Sequence, residues 1–260
     1  MANGCRESRS FVNMIRFESV TKKFGTGESA LSDISLTIEP GEFVFLTGPS
    51  GSGKTTFFRL LTREMLPTVG AIHINDLNIT KLPRGKISHL RRRIGVIFQD
   101  LKLLTDRTIL ENIILPLQIA GIDNKKAKSR VLEIMTQVGI DQHKDKFPIQ
   151  LSGGELQRVA IARAIVFAPQ IIIADEPTGN LDSNTSWEIV KLLEEINDTG
   201  TTVLMATHNT EVVKALGRRH IVLDKGAIVK DEPSSKKKKE SKTVENDEDK
   251  KPEHVKKDHK

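Results

Sequence analysis

Residues 43–55 read FVFLTGPSGSGKT. The run Phe43-Val44-Phe45-Leu46 is apolar on both faces, which is how a central strand of a covered parallel sheet reads. Directly after it, Gly48-Pro49-Ser50-Gly51-Ser52-Gly53-Lys54-Thr55 fits G-x-x-x-x-G-K-[ST] in the strand-then-helix setting that this pattern requires. The glycines let the backbone curl so that successive N–H groups face inward, and a helix starting near Lys54 adds the positive end of its dipole. Such a loop holds a polyphosphate. Lys54 is placed to reach the β- and γ-phosphates and the Thr55 hydroxyl to bind Mg²⁺, with Thr56 completing the nucleotide contact. A chance Gly/Ser turn fits poorly, because an apolar helical stretch with Phe57, Phe58, Leu60 and Leu61 follows at once.

The chain around this loop alternates strands and helices. Upstream, Met14 opens a strand-like segment, and Ile34, Leu36 and Ile38 alternate with Ser35 and Thr37 at the period of a half-buried strand. Downstream, residues 94–98, 171–174 and 202–206 read as further buried strands separated by helical spacing, which implies a mainly parallel sheet covered by helices. Residues 99–169 are helical almost throughout, over 108–120, 124–138 and 155–168, so a helical subdomain is expected at about residues 100–168. The strand at 171–174 ends in Asp175 and Glu176. Two carboxylates leaving the C-terminal end of a buried strand sit where open α/β sheets place their ligands. Asp175 suits Mg²⁺ coordination through water and Glu176 suits a general base for an attacking water; the plainer alternative is the start of a solvated loop.

The phosphate loop does not by itself choose among kinases, GTPases and transport ATPases. Residues 151–155, LSGGE, decide between them. The stretch resembles the signature sequence of ATP-binding cassette (ABC) ATPases, and the order of motifs from residue 14 to 230 matches that family. The resemblance implies an α/β P-loop NTPase with a RecA-like core, an N-terminal antiparallel β subdomain and an inserted helical subdomain. It also implies roles. Gln99 would be the Q-loop residue linking Mg²⁺, water and partner. Ser152, Gly153, Gly154 and Glu155 would meet the γ-phosphate of ATP held by a second copy, in a homodimer enclosing two ATP molecules. Asp182, in Gly179-Asn180-Leu181-Asp182, would be the D-loop contact across subunits, and His208 the γ-phosphate sensor. Phe24 stands where an aromatic ring stacks on adenine in the family, usually a Tyr; this chain has no Tyr, and a Phe ring offers the same face. Phe24 as edge-strand core is the alternative. Asn209 departs from the acidic residue that commonly follows the histidine.

LRRRIGVIFQD, LLTDRT, FPIQLSGGE, ADEPTGNLD and TVLMATH are similar to stretches of the cell-division members of that family. Those ATPases work with a separate integral membrane protein that controls peptidoglycan hydrolases; relatives serving lipoprotein release or macrolide export share ADEPTGNLD and form the alternative. A peripheral position on the cytoplasmic membrane face is what the resemblance implies. Gln99 with Leu101, Leu103, Leu104, Ile109 and Leu110 forms either a docking surface for the membrane subunit or ordinary helix core.

Composition is consistent with these readings. The chain of 260 residues carries a net charge of +6. Its last thirty residues hold ten Lys and nine Asp or Glu with Val244 and Val255 as the only larger apolar side chains, too few to offset chain entropy. The expected layout is an extension at 1–13, one ATPase unit at 14–230 and a disordered charged tail at 231–260. The longest apolar stretch, 164–174, is interrupted by Pro169 and Gln170 and falls far short of the ~20 residues that span a bilayer. The first residues show no secretory apolar run. A lone cysteine, Cys5, excludes an internal disulfide framework, which favours a reducing compartment. The modest charge excess is spread along the chain, so no nucleic-acid partner is expected.

Overall fold

The computed structural model describes residues 14–25 and 27–235; the extension at 1–13, with Cys5, and residues 236–260 of the charged tail lie outside the described residues. Strand β3 (Phe43–Thr47) is the axis of the molecule. It pairs in parallel with β8 (Thr202–Ala206) on one side and β9 (Arg219–Asp224) on the other. Beyond β8 come β7 (Ile171–Asp175) and β6 (Ile94–Ile97), both parallel, and β10 (Ala227–Glu232) closes the other edge antiparallel to β9. The six-stranded order is β10-β9-β3-β8-β7-β6.

Period-two geometry divides β3 between two cores. Phe43 and Phe45 face the helical side, while Val44 and Leu46 face the opposite layer. The helical side is covered by α3 (Ile109–Ile119), α4 (Asn124–Gln137), α5 (Gly153–Ile165), α6 (Ser183–Asp198) and α7 (Thr210–Leu216). The opposite layer holds α1 (Lys54–Leu61) and a four-stranded antiparallel sheet ordered β2-β1-β4-β5, from β1 (Ile15–Lys23), β2 (Ser29–Ile38), β4 (Val69–Ile74) and β5 (Leu77–Asn78). Phe17 of β1 stacks on Phe57 of α1 with ring centroids 4.4 Å apart, tying that sheet to the helix behind the loop. A short helix, α2 (Ile87–Arg92), precedes β6.

Several boundaries differ from the sequence reading for identifiable reasons. Helix α5 begins at Gly153, two residues earlier than the apolar period suggested, because Ser152 and Glu155 form a capping box that starts the helix on poor helix formers. It ends at Ile165, before Ala168 in a left-handed conformation and Pro169. Strand β10 runs through Asp231 and Glu232, past the boundary drawn at 230, because Arg219 grips Asp231 with two bonds of 2.8 and 2.7 Å. Asp231 to Ser235 are therefore part of the folded unit, with the Ser235 N–H donating to the Gly217 carbonyl. Among the described residues, no helix is long and apolar enough to cross a membrane.

Candidate functional site

Parallel strands end on one side of the sheet, and the sequence places a candidate functional residue just after four of them. Gln99 follows β6, the loop 48–53 follows β3, Glu176 follows β7, and His208 follows β8. These residues, with Asp175 and Phe24, line one cleft of about 760 Å³ that also includes Lys54, Thr55 and Thr56. Ser152, Gly153, Gly154, Glu155 and Asp182 do not line it. The sequence-expected groups thus fall into two sets on the same chain.

The cradle is shaped by two close approaches. Gly48 has φ +147°, and a Cβ there would lie 2.0 Å from the Leu223 carbonyl oxygen; Gly53 has φ +108°, and a Cβ would lie 2.5 Å from the Ala30 carbonyl oxygen. Only glycine lets the loop pass this near β9 and β2. Gly53 caps α1 without any side-chain hydrogen bond, leaving the helix's first-turn N–H groups open to a ligand. The Ser52 hydroxyl is buried without a partner. Lys54, nearly buried, folds back to donate to the carbonyls of Gly48 at 2.8 Å and Pro49 at 3.2 Å. Open N–H groups, an orphaned hydroxyl and a cation held only by carbonyls are the complement of a polyphosphate.

Beside the cradle, the Thr55 hydroxyl donates to Asp175 at 3.4 Å. Burial, and next the neighbouring Glu176 carboxylate, push the Asp175 carboxyl above its ordinary pKa. A hydroxyl and one carboxylate are hard oxygen ligands of the kind Mg²⁺ takes when substrate phosphates supply others. Glu176 sits in the left-handed region at φ +48°, unusual for a residue with a side chain, while its N–H donates to the Ala206 carbonyl. Its Oε2 lies 3.4 Å from Nδ1 of His208. Phe24 is 47 % exposed on a turn after β1, with the Lys22 ammonium 5.6 Å from its ring centroid, so it is an open ring face and not edge-strand core.

The second set serves helix ends. The Ser152 hydroxyl accepts from Glu155 N–H, and Glu155 returns bonds to Ser152, forming the cap of α5. Those Ser152 bonds lower the Glu155 pKa. Asp182 caps α6 by accepting from Asn184 and Thr185 N–H groups at 3.0 Å, and its pKa is lowered chiefly by its bonds to Thr185. Asn209, the departure from the family pattern, caps α7 by accepting from Glu211 and Val212 N–H groups, the same local task an aspartate performs.

The structure decides an alternative left open by periodicity. Of the apolar set after Gln99, Ile109 is fully buried and Leu101, Leu103 and Leu110 pack on the core; only Leu104 is substantially exposed. Leu101 and Lys102 are both left-handed, and their carbonyls accept from the Arg163 guanidinium of α5. Arg163 therefore ties the segment after Gln99 to the helix that starts at Ser152. No spacing rule picks out one Arg on a helix; its grip on these two carbonyls is visible only in three dimensions.

Comparison with known proteins identifies the family. The family profile of the ABC transporter matches residues 31–179. The cell division ATP-binding protein FtsE of Bacillus subtilis (strain 168) is 50 % identical over 219 residues, covering 84 % of this chain and 96 % of that protein. The chain belongs to the ABC transporter family, in its FtsE branch. FtsE of Streptococcus pneumoniae D39 and of Escherichia coli K12 are each 46 % identical, covering 85 % and 83 % of this chain and 96 % and 97 % of those proteins. Among solved structures, the dimeric post-hydrolysis state of the ATP-binding cassette MJ0796 bound to ADP and Pi is 36 % identical with a TM-score of 0.76, covering 85 % of this chain and 98 % of that one. The chain is accordingly an ATP-binding ATPase.

Proposed function

We propose that this chain is the ATP-hydrolysing subunit of an FtsE/FtsX-like complex, in which two copies enclose two ATP molecules and closure acts on a separate FtsX-like integral membrane protein that regulates peptidoglycan hydrolysis during division. The observation that carries the chemistry is the placement of Glu176 at the cleft, 3.4 Å from His208 and one residue after the Asp175–Thr55 pair. The FtsE relatives support the cellular role, and the dimeric MJ0796 cassette supports the paired arrangement. The complex would place the chain at the cytoplasmic face of the membrane.

In this reading the open N–H groups of α1 and the Ser52 hydroxyl receive the phosphates, and Lys54 leaves the Gly48 and Pro49 carbonyls for the β- and γ-phosphate oxygens. Thr55 and Gln99, with Asp175 through water, would hold Mg²⁺, which would supply charge neutralisation on the phosphates. Phe24 stacks on the adenine. Glu176 takes a proton from water as its oxygen attacks the γ-phosphorus; the bond to the bridging oxygen breaks, releasing ADP and phosphate. His208 donates to the γ-phosphate, and Ser152 with the N–H groups of Gly153 and Gly154 approaches the same phosphate from the second copy. Asp182 lies between the two sites.

Glu176→Gln tests the assignment. Steady-state turnover should fall by about a hundredfold or more, while ATP binding persists and size-exclusion chromatography shows an ATP-dependent dimer. Turnover like that of the wild type would remove Glu176 from the role of base.

A further inference from the structure

The capping box that starts α5 is held by a residue outside it. Oε2 of Glu155 accepts from the Ser152 N–H at 2.7 Å and from the Ser152 hydroxyl at 2.6 Å, while Oε1 lies 2.7 Å from Nε2 of His143. His143 ends the 3-10 turn Asp141–His143 between α4 and α5 and is 7 % exposed, with its Nδ1 buried and unpartnered. An imidazole nitrogen that close to a carboxylate carries the hydrogen. The side-chain nitrogen Nε2 of Gln142 lies 3.1 Å from the same ring nitrogen. Three bonds thus assign each oxygen of one half-exposed carboxylate a fixed task.

We propose that His143 is a positioning residue for ATP hydrolysis: by holding Oε1 of Glu155 it keeps Oε2 aligned with Ser152 and so sets the direction of the hydroxyl offered to the second copy's ATP. The inference rests on the reading that Ser152 meets that nucleotide. A hydroxyl has one proton, and the 2.6 Å contact directs it at Glu155. To donate to a phosphate oxygen, Ser152 must withdraw that proton. Glu155 then keeps two donors, the Ser152 N–H and the His143 N–H, and stays in place. Without His143 the carboxylate retains one, and its side chain, 35 % exposed, swings toward water.

His143→Leu fills the imidazole's space without a donor, and His143→Gln restores an N–H. In the full-length protein, His143→Leu should lower kcat about tenfold while binding of a non-hydrolysable ATP analogue stays within about twofold of the wild type. His143→Gln should recover most of the loss. Combined with Glu155→Ala, His143→Leu should add nothing, because both act on one group. Unchanged kcat in His143→Leu, no recovery by Gln, or losses that multiply with Glu155→Ala would each overturn the proposal. So would failure of both His143 variants to fold while Glu155→Ala folds, since the imidazole then serves the core. Ser152→Ala, run in parallel, separates the two readings. Normal turnover there sinks the assignment of Ser152 itself; lowered turnover there with normal His143→Leu sinks only the brace.

Discussion

Helices α1 and α5 both begin at glycine-rich turns, but α1 starts with no side-chain cap and α5 starts inside a capping box. At α1 the first-turn N–H groups are free of side-chain partners, and the nearest cation, Lys54, is held only by loop carbonyls. At α5 one first-turn N–H, that of Glu155, already donates to the Ser152 hydroxyl, and that hydroxyl is itself bound to the Glu155 carboxylate. The contrast separates two ways of receiving an anion. The first end is preorganised and needs only Lys54 to turn; the second has to exchange an internal bond for an external one. A site of the second kind engages when its ligand arrives on another body, which suits a contact that closes late.

The largest effect that breaks the comparison is expected at the preorganised end. Lys54→Ala removes the only charged donor buried in the cradle while leaving the glycine geometry, so ATP affinity measured on the isolated protein should drop about a hundredfold. Thermal stability should change little, because the bonds lost are to loop carbonyls that water can reach. An affinity loss under threefold would show that the backbone N–H groups carry the site alone.

Next in size is the exchangeable end. Ser152→Ala deletes the N-cap of α5, at a cost of about 1 kcal/mol in stability, and should lower turnover about tenfold without moving ATP affinity of the isolated chain by more than about twofold. The two variants therefore dissociate: one loses binding, the other loses turnover. A shared loss of affinity would mean that the two helix ends are not separate sites.

How far these sites were legible differs for physical reasons. The cradle was readable because glycine, lysine and hydroxyl spacing after an apolar strand encodes its geometry locally, and the four parallel strands that deliver cleft residues are largely buried on both faces. Strands β9 and β10 were not named, because Arg219, His220, Lys230 and Asp231 give them the polarity of a surface loop, and their order comes from partners such as Asp231 on Arg219. That pairing also moved the end of the folded unit beyond 230. Ile109 shows the limit of periodicity: spacing marks an apolar face but not whether a membrane subunit or the protein's own core covers it, and here the core does. His143 and Arg163 left no pattern at all, since each acts through partners outside its own helical turn.

The smallest expected effects sharpen the same contrast through its carboxylates, which are shifted in opposite directions. Asp175, beside α1, is pushed up by burial and by Glu176; Glu155, at α5, is pulled down by its bonds to Ser152. The folded state holds a proton on Asp175 more tightly than the unfolded chain does. Stability therefore declines as pH rises from about 4 through that raised value. Asp175→Asn should thus melt higher than the wild type at pH 7 without nucleotide, and the advantage should vanish on acidification. Glu155 has the reverse linkage: its stabilisation is present above about pH 4 and is lost as pH falls through the lowered value. Glu155→Gln should melt lower than the wild type at pH 7, and its deficit should close below about pH 4. Melting curves of both variants from pH 7 downward should converge on the wild type from opposite sides. Convergence from the same side would mean that both helix ends treat negative charge alike, and the distinction between a prepared and an exchangeable anion site would fall.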